Sequence, residues 1–204
     1  MDEVASISNR LFSTPQGGQL LSGGRLGFVS PRHTRACATL TRDMAAHLAC
    51  RQRSVALVEM DVRTPVLAQL CGFSDAAGWT DRGRGDETVS PVRPVSESIV
   101  LVPAGNTRVD PLSVDDRVLE NVLEELGSGV DVTLVTLPPL LDAPEALTML
   151  GPLDQVVLTI PAGEIQTKEL RRAKDLLAAS GASIAGSVLV DAEYPLPTFL
   201  SSLL

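Results

Sequence analysis

The sequence is poor in histidine and cysteine, the side chains that most often hold transition metals. Only two histidines, His33 and His47, and three cysteines, Cys37, Cys50 and Cys71, occur among its 204 residues. Two imidazoles do not suffice for a centre built on several histidines, and the cysteines are odd in number and include no CxxC pair. We therefore expect reduced thiols, no metal site and a reducing compartment.

Positive charge and long apolar runs are also scarce. The chain carries 17 basic against 25 acidic residues, a formal net charge of −8. This balance disfavours a broad face for polyanions, so we expect no nucleic-acid partner. No run of about 18 apolar residues occurs, and the N-terminal residues lack the pattern of a secretory signal. The expected location is the cytoplasm.

The apolar residues that are present, 44% of the chain, suffice for one well-buried domain. Residues 1–24 end in a stretch rich in Gly, Ser and Gln, which predicts a flexible N-terminal lead-in. The folded domain is predicted over residues 25–192, followed by an apolar tail at residues 193–204. Residues 74–97, with a charged centre and two prolines, are predicted to be a surface excursion.

Short apolar runs alternate with helical stretches along the predicted domain. Strands are predicted at residues 26–30, 54–59, 98–102, 132–137, 155–160 and 184–190, and helices at 35–51, 113–126 and 165–179. The last three strands are nearly continuous apolar runs, which is typical of the middle of a parallel sheet covered on both sides. The pattern predicts a doubly wound α/β domain with a mostly parallel sheet and helices on both faces.

Several segments resemble the motifs of a known family. Residues 55–65 form an aliphatic run that ends in Glu-Met-Asp-Val-Arg-Thr-Pro, residues 101–105 read Leu-Val-Pro-Ala-Gly, and residues 131–139 read Asp-Val-Thr-Leu-Val-Thr-Leu-Pro-Pro. In this order and spacing they are similar to the cytoplasmic ATPase domains of bacterial tyrosine kinases that work with polysaccharide co-polymerases. These domains belong to the MinD- and ParA-like deviant P-loop ATPases. The resemblance covers about residues 27–191 and implies a P-loop NTPase-like fold.

The same resemblance implies a degenerate nucleotide site. The family's phosphate-loop pattern Pro-Gly-Glu-Gly-Lys-Ser-Thr falls on residues 33–39, where both glycines are replaced. Cys37 stands in place of the lysine, Ala38 in place of the magnesium-binding serine, and Thr136 in place of the Walker B acid. Among the catalytic carboxylates that these motifs match, only Asp61 survives. The resemblance therefore implies a pseudo-ATPase without catalytic residues, bound cofactor or metal.

The turn before the first predicted helix keeps candidates for anion binding. They are Arg32, His33, Thr34, Arg35 and Thr39. The arginine charges add to the first-turn N–H groups of the helix, so ATP held without Mg²⁺ stays open. The alternative is a solvated basic turn whose arginines pair with acidic neighbours such as Asp61. Asp61 itself has the alternative role of a helix cap.

A second chemical reading of this turn rests on the spacing of His33 and Cys37. The two residues lie four apart at a helix start, where a thiolate nucleophile with an imidazole base is one interpretation. A small buried cysteine is the other.

The tyrosine content and the N-terminus also depart from the family pattern. Tyr194 is the single tyrosine, whereas family kinases carry a C-terminal tyrosine cluster. Family members often begin with Glu-x-x-Arg-x-x-Arg, whereas Glu3 is followed here by Ser6 and Asn9. We therefore expect neither tyrosine phosphorylation nor ring assembly by that motif, and self-association by another face stays open.

The resemblance implies an inactive interaction or regulatory subunit in bacterial capsule or exopolysaccharide biosynthesis and export. The implied partner is a membrane-anchored polysaccharide co-polymerase, the chain-length determinant, which would recruit the chain to the inner face of the cell membrane. One alternative is an ATP-binding enzyme with residual ATPase or kinase activity. Another is a MinD- or ParA-like positioning, secretion or pilus-assembly factor. Against the positioning version, the tail lacks the basic, amphipathic character of a membrane-targeting helix.

Overall fold

The structure is a computed structural model, and it describes residues 4–8, 24–32, 34–84, 92–107, 117–126 and 129–191. Most of the predicted lead-in, the predicted tail and His33 lie outside the described residues. The predictions made for them stay predictions.

Seven strands and five helices make up most of the described chain. The strands are β1 (Gly24–Val29), β2 (Val55–Glu59), β3 (Arg93–Pro94), β4 (Ile99–Val102), β5 (Val132–Thr136), β6 (Gln155–Pro161) and β7 (Ile184–Val190). The helices are α1 (residues 4–8), α2 (Thr34–Ala49), α3 (Leu67–Leu70), α4 (Val118–Leu126) and α5 (Thr167–Ala179). Two 3-10 helices span Trp79–Arg84 and Pro144–Leu150.

The strands form one sheet in the order β3-β4-β2-β5-β1-β6-β7. Every pairing is parallel except that of β3 with β4. The predicted α/β architecture with a mostly parallel sheet is thereby confirmed. Because all the parallel strands end at the same edge of the sheet, the turns that follow them meet there, and this edge is where ligands of such sheets bind.

The two faces of the sheet bury separate apolar clusters. Leu57 and Leu134 belong to the cluster covered by α2, while the next residues along their strands, Val58 and Val135, belong to the cluster covered by α4 and α5. Successive side chains of a strand point to opposite faces, so a strand covered on both sides must be apolar at every position. This explains why the central strands lack a polar alternation.

The prediction that the last strand lies in the middle of the sheet is wrong. Among the described strands β7 pairs with β6 alone and forms one edge, and its Ile184 and Leu189 are 43% and 56% exposed. An apolar run indicates that a strand has apolar neighbours, but it does not indicate whether the strand lies in the middle or at the edge of the sheet. The lateral order follows from the crossovers instead.

Part of the predicted surface excursion is integrated into the domain. The indole of Trp79 is buried and donates from Nε1 to the backbone oxygen of Glu59 at 2.8 Å. Asp81 accepts hydrogen bonds from the backbone N–H groups of Gly78 at 2.8 Å and Asn106 at 3.0 Å. The charged residues at 81–87 predicted a solvated segment, whereas one aromatic side chain and one carboxylate attach its beginning to β2 and to the loop after β4. Residues 85–91 lie outside the described chain.

The start of the predicted lead-in is helical. Val4 and Ile7 of α1 pack against the cluster under α2, and Ser8 is buried. The two apolar residues are three apart, which places them on one face of a helix. The prediction of a flexible lead-in fails for these residues because it rested on the Gly- and Ser-rich stretch that follows them.

Candidate functional site

The turn between β1 and α2 is short. β1 ends at Val29 and α2 begins at Thr34, so residues 34–39 of the segment that corresponds to the loop pattern are helical. A phosphate loop wraps several backbone N–H groups around the anion before its helix begins. The first four N–H groups of α2, those of residues 34–37, have no carbonyl four residues back within the helix, whereas the N–H groups after them bond within the helix and are not available to a ligand.

The residues at the lysine and serine positions face the sheet. Cys37 is 1% exposed and Ala38 is fully buried, and both pack in the apolar cluster under α2. Burial raises the pKa of the Cys37 thiol to about 12, so this thiol is neutral at pH 7. This favours the interpretation of a small buried cysteine over that of a thiolate nucleophile.

Thr136, at the Walker B position, is also buried. Its hydroxyl donates to the backbone oxygen of Val58 at 3.4 Å, which links β5 to the neighbouring β2. The position that would hold a metal through water in an active relative is therefore used for a contact between strands.

Asp61 shapes the turn after β2. Its side chain is fully buried, and Oδ1 accepts the backbone N–H groups of Arg63 at 2.9 Å and Thr64 at 3.1 Å. This is the hydrogen-bond pattern of an Asx turn. Of the alternatives that the sequence left open for Asp61, the capping role is close to what is found, although the capped element is a turn and not a helix.

Glu59, at the end of β2, is a buried carboxylate that sequence reasoning did not select as a candidate. It is 1% exposed, and its carboxylate accepts the N–H groups of Leu67 at 2.5 Å and Ala68 at 3.3 Å at the start of α3. Burial, assisted by the charge of Asp61, raises its pKa to about 7 in spite of these hydrogen bonds. The available signal was an ionisable residue that closes an aliphatic strand.

A cleft of about 840 Å³ opens at the edge of the sheet where these turns meet. This volume is in the range of small-molecule sites, about 300–1,000 Å³. Its described lining includes three arginines and four carboxylates, which leaves no excess of positive charge for a polyphosphate. These charged residues are Arg32, Arg35, Arg63, Asp43, Asp142, Glu164 and Asp191.

Three of the sequence-predicted candidates for anion binding line this cleft. Arg32, Arg35 and Thr39 line it. Thr34 is the first residue of α2, and His33 lies outside the described residues. None of the other sequence-predicted site residues is among the described residues that line the cleft; these are Cys37, Ala38, Asp61 and Thr136.

Arg32 is engaged by carboxylates of the chain itself. Its Nη1 lies 2.5 Å from Oδ1 of Asp142, and its Nε lies 2.6 Å from Oε1 of Glu169. The hydrogen bond to Glu169 and the charge of Asp142 raise the pKa of Arg32 above its ordinary value. The sequence offered Asp61 as a partner for this arginine, whereas the ion pairs come from the loop after β5 and from α5.

Arg63 continues this network on the side of β2. Its guanidinium pairs with the buried carboxylate of Glu145 at 2.8 Å and donates to the backbone oxygen of Asp142 at 3.1 Å. Asp142 thus links Arg63 to Arg32. The turns that follow three strands are held together by ion pairs within the chain.

Neither a metal cluster nor a membrane-spanning helix is found in the part of the chain that the structure describes. No three or more His, Cys, Asp or Glu side chains there are grouped so that they could hold a metal ion. No helix there is long and apolar enough to cross a membrane.

The fold of the described residues is similar to that of solved tyrosine kinase domains and of MinD and ParA ATPases. The kinase domain of VpsO has 21% sequence identity and a TM-score of 0.76, with 92% of each chain covered. The kinase domain of the Escherichia coli tyrosine kinase ETK has 17% identity and a TM-score of 0.74, covering 86% of this chain and 72% of that chain. The Pyrococcus furiosus cell division ATPase MinD has 22% identity and a TM-score of 0.66, covering 88% and 78%.

These similarities confirm, at the level of the fold, the resemblance that the sequence motifs indicated. No protein-family model and no curated protein sequence matches the chain.

Proposed function

We propose that this chain is a pseudo-ATPase that acts as an interaction or regulatory subunit in bacterial exopolysaccharide or capsule biosynthesis and export. The observation that carries the proposal is the burial of Cys37, Ala38 and Thr136 away from the cleft. At these positions an active relative needs a cation, a magnesium ligand and an acid that all face the phosphates.

The energetic cost of these replacements supports the absence of catalysis. Removal of one preorganised group that stabilises charge in the transition state costs about 2.7–4 kcal/mol, or roughly 100- to 1,000-fold in rate. Here the lysine, the serine and the loop geometry are lost together. Two of the three arginines of the cleft, Arg32 and Arg63, are paired with carboxylates of the chain and so do not compensate for the lysine.

Nucleotide binding by the purified chain tests this part of the proposal. Isothermal titration with ATP and with ADP, each with and without Mg²⁺, is expected to show no binding at millimolar ligand. Micromolar binding that requires Mg²⁺ would contradict the proposal. If ATP binds without Mg²⁺, Arg35→Ala in the cleft and Arg51→Ala after α2 are a matched pair of variants. Arg35→Ala should then abolish this binding, and Arg51→Ala should leave it unchanged.

The proposed partner is a membrane-anchored polysaccharide co-polymerase, and the proposed location is the inner face of the cell membrane. Support comes from the motif resemblance and from the shared fold with the VpsO and ETK tyrosine kinase domains. Deletion of the gene is expected to alter the amount or the chain length of the polymer, measured by gel filtration of the purified polysaccharide. A deletion strain with normal polymer would contradict the assignment. Complementation by an Asp61→Asn variant is expected, because the proposed role does not need catalysis.

A further inference from the structure

Helices α4 and α5 lie on the same face of the sheet but over different halves of it. Leu123 of α4 and Leu177 of α5 belong to one apolar cluster, on the face opposite to α2. α4 connects β4 to β5, and α5 connects β6 to β7. In the sheet, β4 and β5 lie on one side of β1, and β6 and β7 lie on its other side. The outer surfaces of the two helices therefore point in the same direction.

The outer surface of α4 is acidic. Glu120, Glu124 and Glu125 are exposed, and Arg117, which precedes the helix, is the single basic residue among residues 117–126. Glu120 and Glu124 are four residues apart, so they are neighbours on the helix surface, and like charges at this spacing destabilise an isolated helix. A cationic surface placed against α4 would relieve this repulsion.

The outer surface of α5 has the opposite charge. Lys168, Arg171, Arg172 and Lys174 are exposed, which places four of the 17 basic residues of the chain on one helix. Lys168 and Arg172 again form a like-charge pair at a spacing of four residues. Of the two carboxylates on α5, that of Glu169 is bonded to Arg32, while Asp175 is exposed four residues from Arg171. The four basic side chains exceed this one exposed carboxylate, so the outer surface is positive.

We propose that this face binds a second copy of the chain, with the acidic α4 of each protomer against the basic α5 of the other. Two copies can face each other through this surface when a two-fold axis runs parallel to the strands between their sheets. Rotation about this axis brings opposite halves of the two sheets face to face. Such an axis places each α4 opposite the partner's α5, so both contacts form at once and the interface closes as a dimer. The helices, about 13 Å and 20 Å long, are similar enough in length to align.

The exposed edge of β7 offers a different way to associate, and charge disfavours it. Ile184 and Leu189 are exposed there, and edge strands readily pair with another chain. A two-fold axis through two paired β7 strands would, however, place the two α5 helices beside each other and bring their positive charges together. On the face of α4 and α5, by contrast, the acidic helix of one copy meets the basic helix of the other.

Charge reversal tests the proposed dimer by sedimentation equilibrium of the full chain. Arg171→Glu/Arg172→Glu and Glu120→Lys/Glu124→Lys are each expected to weaken the dimer at least about tenfold, because each places like charges at both contacts. The variant with all four changes keeps the wild-type net charge of −8 and is expected to restore the dimer. Since the charges are exposed, raising the salt from about 0.05 to 0.5 M should also weaken the wild-type dimer.

Three outcomes would overturn the proposal. They are a wild-type chain that is monomeric at low salt up to millimolar concentration, a dimer that neither reversed pair weakens, and a combined variant that is well folded but monomeric. Circular dichroism melting of each variant separates loss of the interface from loss of the fold. Nucleotide binding plays no part in this interface, so the outcome is independent of the proposed pseudo-ATPase function.

Discussion

The turns after β1 and β2 both correspond to motifs of one family, yet they differ in what they keep. After β2, Asp61 is present, and it bonds to the backbone of the turn that it begins. After β1, the positions of the lysine and the magnesium-binding serine are Cys37 and Ala38, and both are buried in the apolar cluster. A side chain that stabilises the fold, such as Asp61, is needed whether or not a ligand binds. A side chain whose single role is to bind a ligand can be replaced by an apolar residue that packs in the core.

The largest expected effect concerns the chemical reactivity of Cys37. At a given pH, a thiol with a pKa of about 12 has roughly 1,000-fold less thiolate than one of ordinary pKa near 9. Labelling with a thiol-specific disulfide reagent at pH 8 should therefore modify the exposed Cys50 rapidly and Cys37 only after unfolding in urea. Cys50→Ser is the control, and it should remove the rapid phase. If Cys37 were labelled in the native chain as fast as Cys50, the turn after β1 would not be a dry apolar site.

A smaller effect is expected from the proton on Glu59. Its folded pKa of about 7 lies above the ordinary value of 4.5, so the folded chain keeps this proton at a pH where the unfolded chain has lost it. The contribution of Glu59 to stability is therefore full below about pH 4.5 and is lost as the pH rises through 7, by about 3 kcal/mol.

Urea denaturation between pH 5 and 8 measures this dependence. Glu59→Gln should flatten it, whereas Glu97→Gln, at an exposed loop position, should leave it unchanged. Equal pH dependence in the wild type and in Glu59→Gln would show that the burial of Glu59 does not perturb its titration. Of the two buried carboxylates at the end of β2 and in the turn after it, Asp61 alone would then distinguish this turn from the turn after β1.

The smallest of the three effects is expected from Asp61→Ala. The change leaves the N–H groups of Arg63 and Thr64 without their acceptor and is expected to lower the free energy of unfolding by about 1–3 kcal/mol. Asp61→Asn keeps an acceptor oxygen and should lose less, measured by urea denaturation at pH 7. If Asp61→Ala left stability unchanged but abolished a measurable ATPase rate, the carboxylate would serve a ligand after all.

Much of the fold follows from the sequence because burial on both faces leaves a direct trace. Val55–Glu59 and Val132–Thr136 are apolar or β-branched at almost every position, and helical stretches separate them from the next strands. The proposed replacements at Cys37, Ala38 and Thr136 rest on the same kind of signal, because the motif resemblance compares residue types position by position. A motif that changes its chemistry at several positions is visible in one sequence.

The ion pairs of the cleft left no such trace. Arg32 pairs with Glu169, 137 positions away along the chain, and no local pattern indicates a contact between residues so distant. The burial of Trp79 was hidden in the same way, because its acceptor lies on β2.

The sequence by itself determined the α/β class and the approximate bounds of its central strands, since these depend on residue type and short-range periodicity. Only the tertiary structure decided that β7 is an edge among the described strands, that the carboxylate of Glu59 is buried against the start of α3, and that Arg32 and Arg63 of the cleft are paired. It also decided that the charged surfaces of α4 and α5 point the same way. These features depend on which distant segments the crossovers bring together, and the free energy of a buried or paired charge is set by those neighbours.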